Sequence, residues 1–320
     1  MQLNIAIKKN FSFILKTFKQ EDVRFRLVTM LKLTLLSIFP FILVIFLLSL
    51  FYKFNILYFN SINEGSAQIL DSTLIDFLVN RISNFFLPLS IFICCLMIVS
   101  LYVADLMLRP FNTISEYCQK KMNGDNDVGF DPFFYADLKL INTFGDLFFH
   151  HIDDCEEKGQ LSPYKVPKKF LQIHKPVIEN GFFIHFGFWI MISSIVTLVL
   201  LNILSTELHN ALIEYSMEIL KKTNATQSEF LIGQREIYNS IVWGILVSYF
   251  CACLVMVGHL YNQVSKPAFA YFSTMRSFLK GKHNTRVHML GYYYIRDHSR
   301  IFNKYLDFLC RELKSGYYNK

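Results

Sequence analysis

The sequence is short of charge. Only 18% of its 320 residues are Asp, Glu, Lys or Arg, against about 25% in soluble globular chains. With 53% hydrophobic residues it is no disordered chain either. Thirteen Gly and eight Pro are too few for a fibrous or low-complexity protein. A disulfide framework is also missing. Cys94, Cys95, Cys251 and Cys253 lie in apolar blocks, Cys118, Cys155 and Cys310 lie in basic segments, and no Cys-x-x-Cys pair occurs. There is no phosphate-cradling glycine loop, no Gly-x-Ser-x-Gly and no His-Glu-x-x-His, so no catalytic residue, metal or cofactor is expected.

What is present is apolar surface in four blocks whose one charge is Asp105, near the end of the second. They are Leu33–Tyr52, about Phe85 to Leu108, roughly Gly181–Leu204 and roughly Ile241–Val264. About 20 helical residues cross a hydrocarbon core of about 30 Å, so each block is long enough to span it. Each must be helical, because lipid offers backbone groups no partner. Thirty-two residues precede the first block and no small-x-small site follows it, so it reads as a retained span rather than a signal peptide.

Lys and Arg number seven in 1–32, two in 53–84, nine in 109–180, three in 203–240 and eleven in 263–320. This alternation places both termini and the middle segment on the cytoplasmic side of a bacterial inner membrane. Anionic lipid, rather than nucleic acid, is the expected neighbour of the basic C-terminal stretch. The first 32 residues are basic and amphipathic, which suits a helix on the inner leaflet. Apolar residues recur at helical spacing in both outer segments, as in Ile69, Leu74, Phe77 and Leu78, or Leu212, Met217 and Leu220. The sequon Asn224-Ala225-Thr226 carries little weight.

The chain also contains an internal repeat. Arg109-Pro110-Phe111 follows the second block and Lys266-Pro267-Ala268 the fourth, an offset of 157. Gly124 and Gly281 each lie 14 residues after their proline, and Phe144 and Phe302 lie 34 and 35 after. Proline, with fixed φ and no N–H, is expected to reset the helix at the membrane exit. Gly is expected to end the next helix as its C-terminal cap. Ile114, Tyr117 and Met122 in one copy, and Tyr271, Thr274 and Phe278 in the other, fall at core spacing. A connector and a second amphipathic stretch then close each unit.

On these residues each unit resembles the HAMP domain of bacterial transmembrane receptors. The matching positions are Pro110 with Gly124-Asp125, and Pro267 with Gly281 and Phe302-Asn303. The family's acidic Asp-Glu-x-Gly opening of the second helix is lacking. Its place holds Tyr135-Ala136-Asp137-Leu138 and Tyr293-Tyr294-Ile295-Arg296, and Phe144 is followed by Gly145 rather than Asn. The resemblance implies a parallel four-helix bundle built by a homodimer, two helices per chain, that passes a conformational change from the membrane to a separate output protein.

The expected fold is therefore an all-α membrane protein with two duplicated helical hairpins, each followed by a HAMP-like helix-connector-helix unit. The divisions are 1–32, 33–108, 109–155, a charged linker at 156–180, 181–264, 265–310 and a tail at 311–320. Its signalling positions are Pro110, Ile114, Gly124, Phe144, Pro267, Tyr271, Gly281, Phe302 and Asn303. Asp105, His185 and His259 are the intramembrane polar residues, with Asp105 expected in an ion pair at the interface and the histidines in interhelical hydrogen bonds. His150 and Asp154, four apart, have the chemistry to share an ion, although a solvated helix end is the expectation. The competing class is a transporter subunit or membrane scaffold built from the same duplicated pair.

Overall fold

The computed structural model describes residues 20–62, 67–125, 129–130, 138–220 and 226–315. The connector residues Tyr135, Ala136 and Asp137 and the sequon's Asn224 and Ala225 lie outside these. So do most of 1–32 and the side chains of Ile69, Leu74, Phe77, Leu78 and Leu220. About 85% of the described residues are helical. Four long helices dominate: α1 (Glu21–Ile62), α2 (Ala67–Met122), α5 (Asn180–Leu220) and α6 (Thr226–Leu279). The shorter elements are α3 (Lys139–Lys158), α4 (Lys168–Leu171) and α7 (Arg296–Glu312), with a two-residue parallel pairing of β1 (Gln160–Leu161) and β2 (Lys314–Ser315).

All four long helices are apolar and long enough to cross a membrane, which makes this a multi-pass membrane protein. They outrun the expected spans, at 42, 56, 41 and 54 residues. The expectation that proline resets the helix is corrected here: α2 runs through Pro110 and α6 through Pro267 without a break. Each proline forfeits one backbone hydrogen bond, and the buried side chains that follow it, Phe111 and Ile114 or Ala268 and Tyr271, hold the helix on course.

Two compact units divide the chain, and neither is contiguous in sequence. The apolar unit comprises residues 30–100 and 189–256. Its core takes Phe41, Val44, Leu48 and Phe51 from α1, Leu201, Leu204, Leu208 and Leu212 from α5, Tyr238, Val242 and Leu246 from α6, and Phe92 and Leu96 from α2. The spacing of three and four is that of one helix face. Large apolar side chains on the other faces, such as Phe46, Phe86, Trp243 and Val255, are exposed, as lipid-facing residues are.

The bundle unit comprises residues 1–29, 101–188 and 257–320. Four helical segments build it: the ends of α2 and α6, and all of α3 and α7. Their ring contacts run in step along the chain. Phe144 meets Phe272 and Phe148 meets Phe278; Phe148 meets Phe302 and Phe149 meets Tyr305; Tyr117 meets Phe149, and Tyr271 meets Phe302. Numbers rise together between α3 and α6 and between α3 and α7, and Tyr117 with Phe149 and Lys121 with Asp153 do the same between α2 and α3, so the four segments lie parallel. All four come from one chain.

Both long helices of this unit end alike. Gly124 (φ 85°) donates its N–H to Lys121 and Asp125 donates to Lys120; Gly281 (φ 87°) donates to Phe278 and Lys282 to Ser277. That is the six-to-one and five-to-two pairing that closes a helix on a left-handed residue, and it explains glycine at both positions. Residues 156–180, expected to separate two halves, do not. Leu161, Val166 and Phe170 are buried, Phe170 lies against Phe144 and Phe272, and Arg276 donates to the carbonyls of Phe170 and Ile173.

Candidate functional site

The bundle core contains most of the expected signalling positions. Ile114, Phe144, Tyr271 and Phe302 are buried, and Phe111 from one copy meets Tyr271 from the other with ring centroids 5.5 Å apart. Two hydroxyls in this core, on Tyr271 and Tyr305, have no hydrogen-bond partner among the described residues. Burial pushes the Tyr305 hydroxyl well above its ordinary pKa, so it stays protonated. Lys121, nearly enclosed, pairs with Asp153 at 2.8 Å and reaches Glu156 at 3.8 Å. Burial raises the Glu156 pKa, opposed by Lys121.

Each second helix grips its connector differently. In the second copy Asn303 uses both ends of its amide: Oδ1 accepts the Val287 N–H at 2.8 Å and Nδ2 donates to the Val287 carbonyl at 3.0 Å. In the first copy the counterpart of Val287 is Phe130, whose ring lies among Tyr117 and Phe149. The counterpart of Asn303 is Gly145, and a Cβ there would come within 3.3 Å of the Phe130 ring. Gly145 therefore makes room for the larger connector side chain.

A second joint is not among the expected features. Asp22, in the first turn of α1, accepts from His298 Nε2 at 3.0 Å, and His298 Nδ1 meets the Ser115 hydroxyl at 2.8 Å. In the neutral ring Nε2–H faces the carboxylate and Nδ1 accepts from serine. Phe25 stacks on Tyr294 at 4.2 Å, Glu21 pairs with Arg296, and Arg24 lies over the Tyr293 ring. The segment leading into the first span is thus fastened to the start of α7.

The same joint recurs where the chain enters the third span. Glu179 accepts the Leu140 N–H at 3.1 Å, at the start of α3. Burial raises its pKa, opposed by the N–H groups of Leu140 and Lys139 and by the Lys139 charge. Asp22 and Glu179 are 157 apart, and Leu140 and His298 are 158 apart. Each lead-in carboxylate therefore sits at the second helix of the opposite copy, where a helix N-terminus favours negative charge. These two acids stand where the sequence lacks the acidic opening of its own second helices. Extending the proline offset back to Asp22 is the signal that finds them.

The three polar residues expected inside spans lie in the bundle unit. Asp105 pairs with Arg26 at 2.8 Å and faces Arg109 at 3.7 Å, with its side chain 39% exposed. His259 is exposed and meets Gln263, one turn on, at 3.1 Å, an intrahelical contact rather than the expected interhelical one. His185 is half-buried on α5. His150 is exposed, while His151 Nε2 meets the Ser162 carbonyl at 2.9 Å and Cys155 Sγ at 3.4 Å. Among the described residues no three His, Cys, Asp or Glu side chains converge to hold a metal.

No family model, no curated protein and no solved structure matches this chain.

Proposed function

We propose that this chain is a non-catalytic signal relay of a bacterial inner membrane, with both termini cytoplasmic, that passes a conformational change from its spans through two HAMP-like units to a separate output protein. The observation that carries the reading is the continuity of α2 and α6, which run as single helices from apolar blocks into the parallel bundle. A continuous helix is the element through which a rotation or shift of either span would be passed on. The paired carboxylate joints support the reading further, since both lead-ins also touch the bundle. In this reading the homodimer that the family resemblance implies is replaced by one chain, because the four bundle segments are supplied intramolecularly.

Cross-linking tests it. Phe111→Cys with Tyr271→Cys is expected to link within one chain in membranes, with no cross-link between differently tagged chains. Adding one alanine to α6 within the fourth span turns the downstream part of the helix by about 100°. A relay then exchanges that cross-link for a different discrete set; a rigid scaffold that keeps the original link sinks the proposal.

One observation favours the transporter reading. In the apolar unit Asn55, His209, Ser216 and Gln234 are buried, with polar side-chain atoms that lack partners. His209 stacks on Tyr238 at 3.8 Å, and both meet Phe51 edge-on. All four lie beyond the apolar blocks, at the outer ends of the long helices, where buried polar groups suit the mouth of a pathway. Solute flux through liposomes holding the chain alone, abolished by Asn55→Leu, would favour transport over relay.

A further inference from the structure

Two stretches of the bundle unit carry apolar side chains that stand exposed among the described residues. Leu290 is 95% exposed beside Gly291 (φ 87°), and Val177 and Ile178 are 42% and 68% exposed. Scattered exposed apolar residues need no explanation, but these share a place. Both stretches are fastened to α6 where the expected fourth span ends. Tyr261 accepts the Glu179 N–H at 2.7 Å and donates to the Val177 carbonyl at 3.0 Å, with Ser265 reaching the same carbonyl at 3.4 Å. Tyr294 donates to the Gln263 carbonyl at 2.7 Å. Leu290 lies between that anchor and Val287, which Asn303 holds.

The charge around them is unbalanced. Lys175 and Lys266 are exposed and form no ion pair among the described residues. The neighbouring acids are engaged elsewhere: Glu179 at the start of α3, Glu21 with Arg296, and Asp105 with Arg26. Apolar tips at the end of a span, flanked by unneutralised lysines, suit the boundary between acyl chains and anionic headgroups.

We propose that the segments around Ile178 and Leu290 form an interfacial anchor for anionic lipid, with Leu290, Val177 and Ile178 at the acyl boundary and Lys175 and Lys266 on lipid phosphates. This rests on the reading of α6 as a membrane span. The anchor ties the second connector, and through it α7, to the leaflet, so that the lipid itself becomes a partner of the bundle.

Single-tryptophan proteins in phospholipid vesicles test it. In the full chain with Trp189→Phe and Trp243→Phe, Leu290→Trp is compared with Lys282→Trp, just past the helix cap on the same connector. The expected result is strong quenching of the indole at position 290 by brominated lipid, with at least threefold less access to acrylamide than at position 282. Equal acrylamide access and no lipid quenching at 290 would overturn the anchor. A protein retaining only Trp243 reports on the span separately. Its quenching by brominated lipid upholds the span whatever happens at 290, and its failure to be quenched removes the basis of the anchor as well. Lys175→Gln with Lys266→Gln, added to Leu290→Trp, is expected to weaken the indole's preference for brominated anionic over brominated zwitterionic lipid by up to about fivefold per lysine. An unchanged preference would overturn the phosphate contact.

Discussion

The exchange between Gly145 with Phe130 and Asn303 with Val287 supplies a double-mutant cycle. Gly145→Asn alone places a Cβ within 3.3 Å of the Phe130 ring, and overpacking of this kind costs about 1–3 kcal/mol. Helix propensity returns only a few tenths of that, about 0.3 kcal/mol. Phe130→Val alone removes a ring packed on Tyr117 and Phe149, at a cost of about 2 kcal/mol in lost burial and cavity. Together the two changes reproduce the second copy. Valine frees the space, and the asparagine amide reaches both backbone groups of residue 130 as Asn303 reaches those of Val287. Two such hydrogen bonds contribute about 1 kcal/mol each. The double mutant should then lie within about 1 kcal/mol of the parent, against a sum of about 4 for the singles. Thermal unfolding in detergent reads this, at about 2–4 °C per kcal/mol for a unit of this size. A double mutant as damaged as the sum of the singles would refute the equivalence of the two joints.

The same geometry sets three further outcomes. Tyr271→Phe and Tyr305→Phe remove buried hydroxyls that lack partners, so each should raise stability by about 1 kcal/mol in denaturant titration; a loss would reveal a partner, such as a bound water. Gly124→Ala and Gly281→Ala should cost about 1–2 kcal/mol each, and equally, because neither Cβ meets a close neighbour and only the left-handed backbone is penalised. Burial raises the Glu179 pKa, so the folded state holds this proton more tightly than the unfolded chain. Its contribution therefore falls as pH rises from its ordinary range through the raised value. Glu179→Gln, which keeps an acceptor for Leu140, should flatten that decline in a pH series of melting temperatures.

The spans are legible in the sequence because a lipid-facing helix needs no partner: composition and length alone decide it. The glycine ends are legible for a similar reason, since a left-handed residue is a local requirement. Helix length is not. The course of α2 beyond Arg109 depends on Phe111, Ile114 and Tyr117 being covered by residues distant in sequence, and proline read alone suggests a stop. The carboxylate joints are hidden by separation, with Asp22 and His298 276 residues apart. Two adjacent acids, Glu21 and Asp22, in a basic segment give no hint of their partners. The linker misleads in the same way: Pro163, Pro167 and Pro176 suggest a spacer, but Phe170 is captured by Phe144 and Phe272, and only the assembled core reveals this.

A single chain that supplies all four bundle segments need not keep them symmetric. Two identical chains must place the same residue in both joints, so any connector must suit both. In one chain the joints are free to diverge, and here they have: an amide clasp at Asn303 and an aromatic wedge at Phe130 over Gly145. The two are not equally easy to open. Opening the clasp gives up two hydrogen bonds and uncovers the small side chain of Val287, whereas the wedge must withdraw a whole ring from Tyr117 and Phe149. Opening the second copy should therefore precede opening the first. Amide exchange should be faster at Val287 than in the α3 turn that holds Phe148 and Phe149, and the reverse order would mean that the aromatic joint, not the amide, is the weaker.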